Sequence, residues 1–108
     1  MKKTVWAVAA LGILAAAPVT VMAQAYPAKT VRVVIPWPAG GSNDVVGRIV
    51  MQKLSESLGQ QFVVENRAGA GTMIGGEAVA RAAPDGYTLL MGISTLAINP
   101  AMYKKSAV

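Results

Sequence analysis

The stretch Thr30-Val31-Arg32-Val33-Val34-Ile35, followed by Pro36-Trp37-Pro38-Ala39-Gly40-Gly41-Ser42-Asn43, decides the fold. Apart from Arg32, the first six residues are β-branched, as suits a strand covered on both faces. The proline and glycine run that follows cannot continue a strand and reads as a loop. From Asp44 to Leu58, the apolar residues Val46, Val50, Leu54 and Leu58 recur every four positions. Val45 and Ile49 widen that stripe, while Arg48, Gln52 and Glu56 lie away from it. This spacing predicts an amphipathic helix that ends on Gly59, a residue suited to a left-handed cap.

The same plan repeats downstream. Gln61 to Glu65 reads as a strand, Ala68-Gly69-Ala70-Gly71 as a loop, and Met73 to Ala83 as a short helix with Thr72 as its N-cap. Pro84-Asp85-Gly86 is a turn, and Tyr87 to Gly92 is a third strand. Ser94 to Asn99 reads as a loop, with Asn99 capping a further helix that has Pro100 in its first position. Alternation of strands and helices implies right-handed crossovers and a parallel sheet, an α/β fold.

Ligands of open parallel sheets collect at the carboxyl ends of the strands. Three loops belong to that edge: Pro36 to Asn43, Asn66 to Thr72, and Ile93 to Asn99. Each is rich in small or polar residues and leads into a helix N-terminus, where free N–H groups and the helix dipole favour a carboxylate. Bland readings compete at each position. Gly40, Gly41, Gly69 and Gly71 serve equally well as turn residues. Ser42 and Asn43 fit helix caps better than ligand contacts, and Asp44 fits the first helical turn better than an anion site. Ser94 and Thr95, small hydroxyl residues just beyond a buried strand, make the best local case for contact. Trp37 is expected to fill the gap beside the strand end, and Met51, Met73, Met91 and Met102 to fill core space.

Composition excludes several chemistries. The chain has 108 residues, a formal net charge of +5, and neither cysteine nor histidine. Thiol catalysis, thiolate metal sites and histidine-based acid–base or zinc sites are therefore out of reach. The cations are scattered singly except for Lys104-Lys105, so no basic stripe tracks a nucleic-acid backbone. Residues 1–25 read as a signal peptide. Lys2 and Lys3 precede an uncharged apolar run from Val5 to Ala17, Pro18 breaks the run, and Ala23-Gln24-Ala25 offers a cleavage pattern. Val21-Met22-Ala23 offers a second cut. The domain is then 26–108, with a net charge of +3 after loss of the two lysines. A nucleotide-binding α/β enzyme is the chief rival, with Glu65 as the ribose-binding acid. However, neither Ala39 to Asp44 nor Gly69 to Ile74 spells the dinucleotide fingerprint, and the phosphate-loop ending is absent.

Several ordered motifs resemble one family. These are Tyr26-Pro27, Pro36-Trp37-Pro38-Ala39-Gly40-Gly41-Ser42-Asn43-Asp44, Val63-Val64-Glu65-Asn66-Arg67-Ala68-Gly69-Ala70-Gly71, Ala82-Ala83-Pro84-Asp85-Gly86-Tyr87-Thr88-Leu89-Leu90-Met91-Gly92, and Ala97-Ile98-Asn99-Pro100-Ala101-Met102-Tyr103. Together they resemble the Bug family, the substrate-binding proteins of tripartite tricarboxylate transporters. The resemblance implies the first lobe of a type II periplasmic binding protein fold. It also implies a monomeric, non-enzymatic receptor without cofactor or metal that carries a small organic acid or related solute to a membrane permease. Carried over by position, the ligand-binding residues are Pro38, Ala39, Gly40, Gly41, Ser42, Gly71, Thr72, Ser94 and Thr95. Leu96 departs from the polar residue, often histidine, that many relatives carry. The family continues well past Tyr103, whereas this chain stops at Val108, and Ser106 to Val108 do not follow the pattern. The expectation is a truncated receptor with a partial lobe, marginally stable and without high-affinity binding. A non-functional gene fragment is the remaining alternative.

Overall fold

The computed structural model describes residues 23–103, so residues 1–22 of the expected signal peptide and the tail from residue 104 lie outside the described residues. Three strands form one sheet: β1 (Val31–Ile35), β2 (Phe62–Asn66) and β3 (Thr88–Leu90). Among the described residues, three helices accompany them: α1 (Ser42–Leu58), α2 (Met73–Ala80) and α3 (Ser94–Met102). A tight helical turn, Ala70–Thr72, precedes α2. The strand order is β2-β1-β3, and both pairings are parallel. The parallel α/β architecture predicted from the sequence is present.

The β-branched run accounts for the central place of β1. Val31, Val33, Val34 and Ile35 are all buried, and successive side chains of a strand point to opposite faces. Both faces of β1 are therefore covered. On one face, Val31, Val33 and Phe62 form the core with Met51 and Leu54 of α1, joined by Tyr87 and Met91. The β1-α1-β2 and β2-α2-β3 crossovers step in opposite directions along the sheet. Right-handedness then places α1 and α2 on opposite faces.

The face that α1 turns to the sheet differs from the expected stripe. Asp44 and Gly47 are buried, with Met51 and Leu54 partly so. Val46 and Ile49, by contrast, are 53% and 58% exposed, and Val45, Val50 and Leu58 are exposed with them. The reason is Gly47. A Cβ at that position would lie 2.6 Å from Ile35 Cδ1 and 2.8 Å from Met91 Sδ, so glycine lets the helix approach without displacing the ends of these side chains. The end of α1 is as expected: Gly59 is left-handed (φ 70°) and donates to the Ser55 carbonyl. Ser55 also accepts from the Phe62 N–H, tying the helix end to the start of β2.

Other boundaries shift as well. The cap of α1 is Gly41 rather than Ser42 or Asn43, which fall within the helix. Asn99 and Pro100 lie inside α3, whose first residue is Ser94, so the predicted 94–99 loop is helical. Pro100 is tolerated because the helix stops two residues later, and the missing N–H removes a single bond near its end. Of the methionines, Met51 and Met91 pack on the core, but Met102 is largely exposed. At the amino ends of the strands, the Tyr26 hydroxyl donates to the Gly86 carbonyl (2.6 Å), and the Ala28 N–H donates to the Tyr87 hydroxyl (2.9 Å). The Tyr26 and Tyr87 rings pack 5.3 Å apart.

Candidate functional site

All three strands run the same way, so the loops that follow them emerge at one edge of the sheet. A cleft of about 310 Å³ opens there, lined by Trp37, Pro38, Gly41, Ser42, Asn43 and Ile93. Its walls come from the β1–α1 loop, the first turn of α1, and the residue before α3. In α1 the first intrahelical bond is made by the Val45 N–H to the Gly41 carbonyl (3.0 Å). The N–H groups of Ser42 and Asn43 therefore have no carbonyl one turn back, and both residues line the cleft. Trp37, Pro38 and Ile93 supply an apolar wall beside these donors. Trp37 thus borders the cleft and remains accessible instead of closing the strand end.

Asp44 occupies the same first turn and is 4% exposed. Its carboxylate is fully engaged: it accepts from the Gly40 N–H (2.9 Å), from Asn66 Nδ2 (2.9 Å), and from Arg48 Nε at 3.1 Å to each oxygen. Asn66 Nδ2 also donates to the Trp37 carbonyl (3.0 Å), and Arg48 donates to Asn66 Oδ1 (2.9 Å). This network joins both ends of the 37–40 loop to the end of β2. The Arg48 hydrogen bond, with the Gly40 and Asn66 donors, lowers the Asp44 pKa from 3.8 to about 2. The carboxylate stays ionised with its charge matched by Arg48, and it acts as a clamp for the loop.

The predicted site residues separate into two groups. Pro38, Gly41 and Ser42 line the cleft, and Ala39 and Gly40 complete the same turn, with the Gly40 N–H turned to Asp44. Gly71, Thr72 and Thr95 meet further along the edge. Thr72 is 4% exposed, its N–H donates to the Gly69 carbonyl (3.1 Å), and its hydroxyl lies 3.2 Å from that of Thr95. Ser94 is exposed at the start of α3, next to the cleft residue Ile93. The sequence marks Ile93, Asn66 and Asn99 as ends of the edge loops but gives none of them a part in the site. The first is a single apolar residue in a polar loop. The two asparagines act through long-range bonds that leave no local pattern. Glu65, the acid of the nucleotide alternative, is paired with Arg67 and Arg32, and Arg67 holds its pKa below the usual value.

Residues 46–107 match the family model described as the tripartite tricarboxylate transporter family receptor. The chain belongs to that family. It is a family of solute-binding receptors, not of enzymes. BugT of Bordetella pertussis is 51% identical over 80 residues, which cover 74% of this chain and 24% of BugT. A solved structure of a periplasmic transporter superposes with a TM-score of 0.71 at 52% identity, covering 75% of this chain and 27% of the other. An R. palustris structure with adipate gives a TM-score of 0.61 at 39% identity, covering 62% of this chain and 22% of the other. MatC from Rhodopseudomonas palustris with bound malate gives 0.57 at 43% identity, covering 60% and 22%. The chain spans about a quarter of the length of the curated relatives it matches.

Proposed function

We propose that this chain is the part of a periplasmic solute-binding receptor that holds one carboxylate of a small organic acid, for delivery to the permease of a tripartite tricarboxylate-type transporter. The observation that carries this reading is the cleft at the carboxyl edge of the sheet, where free N–H groups of α1 stand beside Trp37, Pro38 and Ile93. Free amides at a helix start favour an anion. An apolar wall beside them suits the carbon skeleton that carries the carboxylate. In this proposal Pro38, Ala39, Gly40, Gly41 and Ser42 form the carboxylate loop, and Gly71, Thr72, Ser94 and Thr95 complete the edge. Adipate and malate in two family structures fit the same ligand class.

The test is titration of the isotopically labelled 108-residue chain with adipate, malate and the uncharged adipamide, followed by amide chemical shifts. Weak binding is expected, with a dissociation constant of about 1 mM, or about −4 kcal/mol. Shifts should concentrate at Gly41, Ser42, Asn43 and Ile93 for the two acids and be absent for the amide. Shifts at the amino ends of the strands, or equal shifts with adipamide, would sink the reading.

A further inference from the structure

The turn before α2 is wound the wrong way for its residues. Ala70, Gly71 and Thr72 have φ of 47°, 61° and 79°, three successive positive values. Glycine adopts this region freely, but a β-branched residue there is a true outlier that its surroundings must hold. Asn99 supplies the hold from within α3. It is 6% exposed, and its side-chain Nδ2 donates to the Gly71 carbonyl (2.7 Å) and to Thr72 Oγ1 (3.1 Å). An asparagine amide has two N–H donors, and both are committed to this turn. Thr95, one turn earlier in α3, adds its hydroxyl 3.2 Å from that of Thr72. The turn is thereby fastened to the helix that begins directly after the cleft residue Ile93.

We infer that Asn99 is a positioning residue: it holds Thr72 left-handed and so fixes the 70–72 turn against α3, the helix that follows the cleft residue Ile93. Its consequence for a ligand rests on the receptor reading above. A buried asparagine kept only for general stability would make the same bonds, so the test must read the turn itself. A residue with positive φ gives a strong intraresidue NOE between Hα and the amide proton.

In the parent chain Thr72 should show this strong NOE. In Asn99→Ala it should weaken, while the amides of Val31 to Ile35 keep their dispersion and adipate affinity falls about tenfold. Adding Thr72→Gly to that variant should return the Ala70 and Gly71 amide shifts to their parent positions, because glycine reaches the conformation unaided. A Thr72 NOE unchanged in Asn99→Ala, or no recovery with glycine at 72, would overturn the inference. Should Asn99→Ala fail to fold, Asn99→Asp, which keeps the shape but lacks the two N–H donors, is read by the same Thr72 NOE. A weakened NOE supports positioning, whereas one as strong as in the parent overturns it. If the parent binds neither adipate nor malate, the receptor reading falls, and the NOE comparison judges Asn99 by itself.

Discussion

Asp44 is an acid placed in the first helical turn beside the cleft, and Arg48, Gly40 and Asn66 occupy its oxygens. Asp44→Asn exchanges an acceptor for a donor opposite three donors, so the 37–41 loop should loosen. Its pKa is about 2 in the folded chain against 3.8 ordinarily, so the unfolded chain binds more protons across that interval. The Asp44 contribution is therefore complete above 3.8 and lost as pH falls through about 2. Urea unfolding at a series of pH values should show the parent losing stability across that window. Asp44→Asn should be less stable at neutral pH and flatter toward acid; an unchanged acid slope would contradict the clamp.

Among the helices, two glycines separate close packing from mere flexibility. A Cβ on Gly75 of α2 would lie 2.7 Å from Pro36 Cβ and 2.9 Å from the Arg67 carbonyl oxygen, neither of which can step aside. On Gly47 of α1 it would meet the ends of the Ile35 and Met91 side chains, which can. Gly75→Ala should destabilise by about 1–3 kcal/mol despite the helix preference of alanine, and Gly47→Ala by less. Thermal melts of the two variants check the order. On the outward face of α1, Ile49→Lys should change stability by no more than about 0.5 kcal/mol. A large loss there would restore the face expected from the sequence.

These same elements show what the sequence could disclose. β1 was legible because a run of β-branched residues has one comfortable setting, and Gly59 because a left-handed cap is a local requirement. The packed face of α1 was not, since apolar residues flank both sides of the helix and the deciding residue, Gly47, contributes no hydrophobic signal. Asn99-Pro100 misled for a similar reason. Its local chemistry is that of a helix start, and only the distant Gly71 and Thr72 reveal a buried asparagine in mid-helix.

For the molecule as a whole, the order β2-β1-β3 arises because the β1-α1-β2 crossover steps to one side of β1 and the β2-α2-β3 crossover returns past β1 to the other. That topology gathers three loops at one edge, so the location of the cleft was readable from alternation alone. Its lining was only partly readable: Pro38, Gly41 and Ser42 meet there with Ile93, while the 71–72 and 95 positions form an adjoining cluster held from α3. The clasp of Tyr26 on Gly86 and Tyr87 lies where the strands begin, and the cleft lies where they finish. A five-residue strand separates these ends by roughly 16 Å. A fluorescent reporter or affinity handle joined ahead of Tyr26 would thus emerge at the opposite end of the strands, leaving the mouth of the cleft unobstructed.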